Sequence, residues 1–375
     1  MLVFPPVDPY IIQDSERLLT PALLVYPEIV DANIQATIRM ANGDPNRWRP
    51  HIKTAKMPSV LELLIANGVQ NFKCSTSLEL LIACQAGAKD VLLAYPVMGA
   101  NAKRTKDIAA KYPRTTVSVL IEDRNQAAFW LGSDIGVFID VNSGMNRTGI
   151  DPAHHDEISQ LTSELGGQFR GLHFYDGHVS GIAAAERAKQ AHEGYQRLMD
   201  LIHSLNVPIG EVITSGTPAA PCAISYAGFR NAGFVHRISP GTVVFNDMSS
   251  LQQLPDWGYQ PAVVVLATVV SHPKPGVVTC DAGHKSVSAD AGVPTCAALG
   301  HADWKPLKPS EEHLPIEMPE QSTPKLGERI YLLPRHVCPT VNNFDEAIFV
   351  IRGRVQRAAP ISARGHESAL TVAVA

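Results

Sequence analysis

A short basic motif near the amino terminus offers a candidate for imine chemistry. Residues 49–56 read Arg-Pro-His-Ile-Lys-Thr-Ala-Lys, and Lys53 ends a strand-like segment. A lysine that forms an imine must spend part of its time neutral, and desolvation and nearby cations lower its pKa toward that state. Arg49 and His51 could supply such an environment, so Lys53 and His51 are candidate catalytic residues. A solvated basic strand end is the structural alternative, and Lys56, which lies past the strand, is a rival lysine.

A second motif, near the carboxyl terminus, offers a candidate for metal binding. Residues 334–340 read Pro-Arg-His-Val-Cys-Pro-Thr. On a strand, His336 and Cys338 would face the same side, as paired ligands must. Imidazole with thiolate favours zinc over magnesium, and two protein ligands leave positions for water and substrate, which is typical of a catalytic site. A buried strand with a chance His and Cys is the alternative. His313 is a further candidate for the same neighbourhood.

Two Gly-Thr pairs could bind a phosphate group. They follow the last two of a series of strand-like segments. Phosphate sites in barrels commonly use the loops after strands seven and eight, where glycine lets backbone N–H groups approach and hydroxyls add donors. Two ordinary glycine turns are the structural alternative. We predict a phosphate-binding site formed by Ser215, Gly216, Thr217, Gly241 and Thr242.

Polar residues after two further strands add to the candidate site. Arg147 follows a predicted strand and could donate two hydrogen bonds to an anionic oxygen. Tyr175 could pack on a cofactor ring. His178 could carry protons because its ordinary pKa lies near neutrality. His173, two residues before Tyr175 and on the same strand face, is a second candidate. A surface arginine in a turn and a structural histidine are the alternatives.

The elements that must position these residues alternate between strand and helix. Regular alternation implies parallel pairing, and eight units suit a (β/α)8 barrel, with an open doubly wound sheet as the alternative. The sequence predicts strands near Trp48–Lys53, Asn71–Ser75, Asp90–Tyr95, Thr116–Glu122, Gly136–Val141, Phe169–Tyr175, Gly210–Ser215 and Phe234–Ser239. It predicts helices over Pro58–Ala66, Ser77–Ala86, Asn101–Lys111, Asn125–Leu131, His155–Leu165, Ala183–Leu205 and Pro218–Ala227.

After Asp247 the pattern changes to strands joined by Pro- and Gly-rich segments. Strand-like runs occupy Pro261–Val270, Val277–Cys280, Arg329–Leu333 and Ala347–Val355, and residues 294–327 resemble a loop excursion. The strand-like run Pro21–Tyr26 is expected to pack with them. We therefore predict an α/β protein with a barrel over residues 20–250 and a mainly β domain formed by residues 1–19 and 251–375, which carries the metal motif.

Composition excludes several partners. The net charge is −4, so there is no basic excess to neutralise nucleic-acid phosphates or an anionic membrane. No uncharged apolar stretch reaches the roughly 18 residues of a membrane span, and no signal segment is evident. The six cysteines lack a small-domain disulfide spacing, which favours reduced thiols and a cytoplasmic enzyme.

These motifs resemble a known family. Residues 49–56 are similar to the lysine motif of the D-threonine aldolase and D-serine dehydratase family, which are pyridoxal-phosphate enzymes of the alanine racemase fold. The resemblance spans roughly residues 20 to 360. Further similar segments occur in family order: Phe72–Thr76, Asn146–Gly149, Tyr175–His178, Ser215–Pro218, Pro240–Thr242, Asp281–Lys285, Glu311–His313 and His336–Pro339.

The resemblance implies a lyase that acts on small D-amino acids with a β-hydroxyl group. It implies that Lys53 binds pyridoxal 5′-phosphate, that Arg147 contacts the phenolic oxygen of the cofactor, and that a divalent metal, zinc or manganese, binds the β-hydroxyl. It also implies a homodimer. The family commonly has a tyrosine where this chain has Val243. Several family aldolases carry aspartate at the position of Cys338, whereas D-serine dehydratases carry cysteine.

The exact reaction therefore has more than one interpretation. A retro-aldol cleavage giving glycine and an aldehyde is our first hypothesis. The alternative is a dehydration that gives a keto acid and ammonia. A non-catalytic pyridoxal-phosphate carrier would lack the β domain and the metal motif. An amino-acid racemase would need no metal and would use a tyrosine opposite the lysine.

Overall fold

The computed structural model describes residues 4–369. The chain divides into two compact units. One contains residues 4–36, together with Thr54–Val60 and Thr242–Gly365. The other contains Thr37–Lys53, Leu61–Gly241 and residues 366–369 of the described chain. The change at Gly241 lies close to the predicted boundary at residue 250, but the residues between 20 and 36 group with the β-rich unit. The domain boundaries 20–250 and 1–19 plus 251–375 stay a prediction.

Sixteen strands and ten α-helices occupy the described residues. The strands are β1 Ala22–Val25, β2 Asn71–Cys74, β3 Asp90–Leu93, β4 Thr116–Ile121, β5 Gly136–Asp140, β6 Phe169–Phe174, β7 Glu211–Thr214, β8 Val235–Ile238, β9 Val263–Lys274, β10 Val277–Cys280, β11 Cys296–Ala298, β12 Lys305–Pro306, β13 Leu314–Glu317, β14 Arg329–Pro334, β15 Glu346–Ile351 and β16 Arg354–Pro360. The helices are α1 Pro27–Met40, α2 Pro58–Ala66, α3 Ser77–Gln85, α4 Gly99–Lys111, α5 Arg124–Ala128, α6 His155–Leu165, α7 Ala184–Ser204, α8 Ala220–Ser225, α9 Met248–Gln253 and α10 Val337–Asn342.

The unit that contains residues 61–241 is a parallel barrel. Strands β2 to β8 pair consecutively and in parallel, and a helix follows almost every strand. The first predicted strand is not a regular strand, but residues 48–52 bridge both edges of the sheet. Trp48 pairs with Ile238 of β8, and His51 pairs with Lys73 of β2, both in parallel. These bridges close the sheet into the predicted barrel and exclude the open doubly wound alternative.

Side chains fill the barrel interior in layers, because residues two apart on a strand point to the same face. The layer at the amino-terminal ends of the strands is ionic. Arg49 donates to Glu211 Oε1 at 2.8 Å and to Asp90 Oδ1 at 2.8 Å. Above it lies an apolar layer formed by Leu92, Leu120, Phe138 and Ile213. Toward the carboxyl-terminal ends of the strands, where barrel active sites lie, polar residues such as Asp140 of β5 follow the apolar layer.

The other unit is built on a mixed sheet around the long strand β9. Its order runs β12, β13, β10, β9, β1, β15, β16, and β14 pairs with both β9 and β11. Its core includes Tyr10, Tyr26, Leu266 and Tyr331. The prediction that the chain start packs with the late strands is confirmed, since Ala22 of β1 pairs with Leu266 of β9.

Several sequence-based element predictions were wrong in detail. The run Ala347–Val355 is two strands, β15 and β16, because the chain turns at Arg352, which has a φ of 49°, and Gly353. The excursion over residues 294–327 contains three short strands, β11 to β13. Helix α1 was not predicted. No helix within residues 4–369 is long and apolar enough to cross a membrane. All six cysteines are free thiols, as predicted.

We expect Arg49 to be essential for barrel stability. Replacing it by methionine removes one ion-pair partner from each of two buried carboxylates. Breaking a buried ion pair in this way lowers the free energy of unfolding by roughly 3–5 kcal/mol. The matched control is Arg124→Met, which removes an exposed ion pair with Glu164 and should change the free energy of unfolding little. Urea unfolding followed by circular dichroism measures both. Equal losses in the two variants would contradict this interpretation of Arg49.

Candidate active site

Lys53 lies directly after the segment that closes the barrel. Its side chain is exposed, and its backbone N–H donates to His51 Nδ1 at 3.2 Å. His51 therefore helps to fix the turn from which Lys53 projects at the carboxyl-terminal end of the barrel. The rival Lys56 is buried, and its Nζ donates to the carbonyl of Ala363 at 3.3 Å. Lys53 is thus the better placed of the two lysines to meet a ligand.

A second lysine, which the sequence analysis did not identify, lies inside the barrel. Lys73 Nζ is 3.3 Å from His173 Nε2, and His173 Nδ1 is 2.7 Å from Asp140 Oδ1. Burial, with the charge of Lys53 added, lowers the pKa of Lys73 to about 7 although Asp140 opposes the shift. Burial also lowers the pKa of His173. The three residues connect β2, β6 and β5 across the barrel.

Arg147 and Tyr175 lie together at the same end of the barrel. The Arg147 guanidinium is 4.9 Å from the centre of the Tyr175 ring, and Lys73 Nζ is 5.4 Å from it. Ser143 holds the strand end, since its hydroxyl donates to the carbonyl of Tyr175 at 2.6 Å. His178 lies on a short 3-10 helix and is largely exposed. Its partial burial, with the charge of Arg197 added, lowers its pKa. The structure thus groups Arg147 and Tyr175 with Lys73, whereas His178 lies in the adjoining loop.

The loop after β7 has features of an anion site. Ser215 has a φ of 62°, and its buried hydroxyl has no hydrogen-bond partner among the described residues. Gly216 N–H donates to Asp176 Oδ1 at 3.3 Å, and Tyr195 donates to Asp176 Oδ2 at 2.5 Å. Burial raises the pKa of Asp176 to about 6 against these hydrogen bonds. Thr217 follows in a turn and is buried.

The structure shows why residue 241 is a glycine, which the sequence alone did not. A Cβ at this position would lie 2.3 Å from the carbonyl oxygen of His51. A side chain here would therefore push away the segment that carries Lys53. A Cβ at Gly216 would meet the edge of the Tyr175 ring at 3.0 Å, which is a milder conflict. The role of Gly241 in phosphate binding stays a prediction, but its substitution would not test that role cleanly.

Cys338 and its neighbours belong to the β-rich unit. Its Sγ is 3.0 Å from the Thr54 hydroxyl and 3.5 Å from the Thr242 hydroxyl. The predicted role of the Thr242 hydroxyl in phosphate binding stays a prediction, and the same hydroxyl lies within reach of the thiol. The cysteine sulfur thus lies close to two hydroxyl groups, from the residues that directly follow Lys53 and Gly241 in the chain.

The prediction that His336 and Cys338 lie on a strand is wrong. Strand β14 ends at Pro334, His336 is the N-cap residue of α10, and Cys338 lies in its first turn. Asp247 fixes this helix start, because its Oδ2 accepts from the Val337 N–H at 3.0 Å. A cap carboxylate of this kind satisfies a helix N–H that has no partner within the helix. The alternating spacing resembled a strand, but the tertiary contact of Asp247 favours a helix.

The helix start nevertheless brings the imidazole and the thiol together. His336 Nδ1 lies 2.6 Å from Asp290 Oδ2. Burial opposes the charged form of His336, but hydrogen bonds with Cys338 and Asp290 outweigh it and raise its pKa to about 9. A carboxylate on one ring nitrogen of a metal-binding histidine orients the other toward the metal. Within residues 4–369, no three or more His, Cys, Asp or Glu side chains are arranged to hold a metal ion.

His313 is not joined to this pair by any described contact. Its carbonyl accepts from the Ser310 N–H at 3.0 Å, and the neighbouring Glu311 and Glu312 pair with Lys285. The segment therefore forms a local turn stabilised by exposed ion pairs. A divalent metal at His336 and Cys338 would take two protein ligands and complete its coordination with other groups, as the sequence predicted.

The residues that the sequence analysis missed were detectable in principle. Strands of a parallel barrel are buried on both faces, so charged residues within them are unusual. Lys73 lies between Phe72 and Cys74, and Asp140 ends the apolar strand β5. A charge inside such a strand indicates a partner across the barrel. The identity of that partner, His173, follows only from the closed sheet.

Comparison with known sequences identifies the class of protein. Residues 27–246 match the family described as alanine racemase, N-terminal domain, and residues 262–350 match a serine dehydratase domain. The first match covers more than half of the chain. This chain therefore belongs to the alanine racemase N-terminal domain family, whose fold is that of the fold-type III pyridoxal-phosphate enzymes.

Characterised relatives match over almost the whole chain. A D-threonine aldolase of an Arthrobacter species is 28% identical over 93% of this chain and 93% of its own length. A 3-hydroxy-D-aspartate aldolase of Paracoccus denitrificans is 26% identical over 94% of each chain. The crystal structure of D-threonine aldolase from Filomicrobium marinum matches with a TM-score of 0.83 and 25% identity, covering 92% of this chain and 96% of its own.

The barrel residues fit pyridoxal 5′-phosphate. An exposed lysine, an arginine and a buried hydroxyl without a partner are brought to one end of the barrel. Lys53 could bind the cofactor covalently, Arg147 could contact its phenolic oxygen, and Ser215 could donate to its phosphate. The His336 and Cys338 side chains fit a soft or borderline divalent metal such as zinc.

We expect the unpartnered hydroxyl of Ser215 to act in cofactor binding and not in folding. Ser215→Ala should leave the stability of the apoprotein unchanged, because no hydrogen bond between described residues is lost. It should weaken pyridoxal 5′-phosphate binding about tenfold or more, the loss of one hydrogen bond to a charged group. Fluorescence titration of the apoprotein measures the affinity.

The matched control is Ser118→Ala. The Ser118 hydroxyl is buried like that of Ser215, but it accepts a hydrogen bond from Arg170 at 2.7 Å. Ser118 therefore belongs to the ionic layer at the amino-terminal end of the barrel. Its loss should reduce stability and leave cofactor affinity unchanged. Unchanged cofactor affinity in Ser215→Ala would remove Ser215 from the phosphate site.

Proposed function

We propose that this protein is a pyridoxal-phosphate- and metal-dependent lyase that cleaves D-β-hydroxy amino acids, with retro-aldol cleavage of the D-threonine type as its reaction. The observation that carries the proposal is the position of Lys53. It ends the segment that closes a barrel, in a fold that matches a D-threonine aldolase over nearly its full length. Two of the relatives that match along almost the whole chain are named as aldolases of D-amino acids.

The residues of the barrel divide the chemical tasks. When bound, pyridoxal 5′-phosphate supplies an electron sink for negative charge at the α-carbon. Lys53 would provide the amine that holds it, and the exposed side chain leaves that amine accessible from the end of the barrel. Arg147 and the loop after β7 orient anionic groups. Burial lowers the pKa of His173, which favours its neutral form, and Asp140 fixes its orientation.

The metal motif supports the β-hydroxyl chemistry in this proposal. His336 and Cys338 would hold a divalent metal, and Asp290 would orient the imidazole. When bound, the metal would supply a Lewis acid that favours loss of the β-hydroxyl proton, after which the Cα–Cβ bond can break to release an aldehyde. Zinc and manganese both stay candidates.

Dehydration is the second candidate, and a specific observation favours it. The chain carries Cys338, the residue that D-serine dehydratases have at this position, and residues 262–350 match a serine dehydratase domain. The same groups could then help hydroxide to leave, giving a keto acid and ammonia. A non-catalytic carrier is disfavoured, because this chain has both the β-rich unit and the motif with His336 and Cys338.

We propose that the protein is cytoplasmic and forms a homodimer. Sedimentation velocity would test the dimer.

Cofactor attachment tests the central residue. Borohydride reduction followed by peptide mapping should label Lys53, because it is the exposed lysine at the end of the barrel. Lys53→Ala should abolish both the label and turnover of D-threonine. The matched control Lys56→Met should retain both. A label on Lys56 or on Lys73 would move the cofactor away from Lys53 and refute the assignment.

Metal dependence tests the second motif. Chelation or His336→Ala should reduce D-threonine turnover roughly a thousandfold, since a Lewis acid supplies several kcal/mol at the transition state, while the cofactor absorption persists. Cys338→Asp should shift the metal preference from zinc toward manganese or magnesium, because oxygen is a harder ligand than sulfur. Product analysis with D-threonine and D-serine gives the ratio of aldehyde to keto acid. Full activity in chelator, with no metal found by elemental analysis, would exclude a metal role.

A further inference from the structure

Lys73 is held inside the barrel by a chain of polar groups. Its Nζ lies 3.3 Å from His173 Nε2, and its side chain is almost fully enclosed, with 2% of the residue exposed. Asp140 accepts from His173 Nδ1 at 2.7 Å, which leaves the lone pair of Nε2 free to accept from Lys73. The second oxygen of Asp140 accepts from the Thr148 hydroxyl at 2.7 Å. Both carboxylate oxygens are therefore engaged, and Asp140 does not pair directly with the lysine.

Lys73 retains unused hydrogen-bond donors. A charged lysine has three N–H donors, and within residues 4–369 His173 is its one hydrogen-bond acceptor. A buried donor without an acceptor costs free energy, so such a group points to a ligand. Its remaining N–H bonds need an acceptor that the described residues do not supply.

The charges around Lys73 also indicate an anion. Burial lowers the pKa of Lys73 most, Lys53 and Arg147 lower it further, and the carboxylates that oppose the shift, Asp140 and Asp176, already have other partners. Asp140 is bound to His173 and Thr148, and Asp176 accepts from Tyr195 and Gly216. The Tyr175 ring covers the lysine at 5.4 Å and offers its π face. Lys53 and Arg147 thus add positive charge beside Lys73, while the two carboxylates that act on it are engaged elsewhere.

We propose that Lys73 binds an anionic oxygen of the ligand in the barrel, and that ligand binding draws a proton onto its amine. This inference rests on the proposed function, since it concerns the same site. The oxygen could come from two sources, the cofactor or the substrate carboxylate. Either one would occupy the unused N–H donors and offset the charge of the neighbouring cations.

The coupling between binding and protonation has a definite sign. With a pKa of about 7 in the free protein, Lys73 is roughly nine-tenths charged at pH 6 and one-tenth charged at pH 8. An adjacent anion favours the charged form and raises the pKa, so the bound lysine is charged at both pH values. Binding should therefore take up about 0.9 proton at pH 8 and about 0.1 at pH 6 through this residue. Affinity should fall as pH rises above 7.

Calorimetry in buffers of different ionisation enthalpy measures the proton uptake. The probe for the cofactor is 4′-deoxypyridoxine 5′-phosphate, which keeps the phenolic oxygen and phosphate but cannot form an imine with Lys53. The probe for the substrate carboxylate is D-lactate added to the holoenzyme. Wild type and Lys73→Met are compared at pH 6 and pH 8, and the exposed Lys89→Met is the matched control.

We expect Lys73→Met to lose most of the uptake at pH 8 for one of the two probes, and the probe affected identifies the source of the oxygen. Lys89→Met should behave like wild type.

Where Lys73→Met fails to fold, the wild-type protein alone still tests the inference. If its binding takes up no more protons at pH 8 than at pH 6, the inference is overturned. If wild type and Lys73→Met bind both probes with equal proton uptake, Lys73 has no role in anion binding while the proposed function stands. If neither protein binds the cofactor analogue, the proposed function fails and this inference fails with it.

Discussion

The ion pairs of Arg49 are the interaction on which the rest of the barrel depends. The segment that closes the barrel makes two isolated bridges instead of a regular strand, so it needs other support. Arg49 supplies it from inside, with both guanidinium edges bound to Asp90 and Glu211. Around them, Arg170 binds Asp90, and the two arginines outweigh the effect of burial and lower the pKa of Asp90 to about 2. This network anchors the short segment that ends at Lys53, and the position of Lys53 follows from it.

The order of layers inside the barrel explains why charges at its two ends behave differently. At the amino-terminal end, arginines and carboxylates alternate and satisfy one another. At the other end, Lys53, Lys73 and Arg147 gather where the carboxylates already have other partners. The apolar layer that includes Phe138 separates the two groups, so the excess charge at the upper end is not neutralised from below. That imbalance is what an anionic cofactor would correct.

In the metal motif, a tertiary contact changes the local structure from strand to helix, but His336 and Cys338 still lie next to each other. His336 and Cys338 were expected to face one side of a strand. Asp247 instead caps the start of α10, and the first helical turn brings the same two side chains together. Asp247 also caps α9, because its other oxygen accepts from the Ser250 N–H. One buried carboxylate therefore fixes two helix ends, one of which carries both candidate metal ligands.

The sequence alone determined the barrel, the order of its elements and the candidate residues Lys53, Arg147 and Tyr175. These depend on apolar runs and strand ends, which are local patterns that persist in any closed parallel sheet. Only the tertiary structure decided that Lys73 meets His173, a residue 100 positions away, because that contact requires the sheet to close. It likewise showed that residue 241 must lack a side chain, because the carbonyl of His51 lies against it. Contacts across a barrel depend on strand register and curvature, which arise from packing of the whole unit and leave no short-range pattern in the sequence.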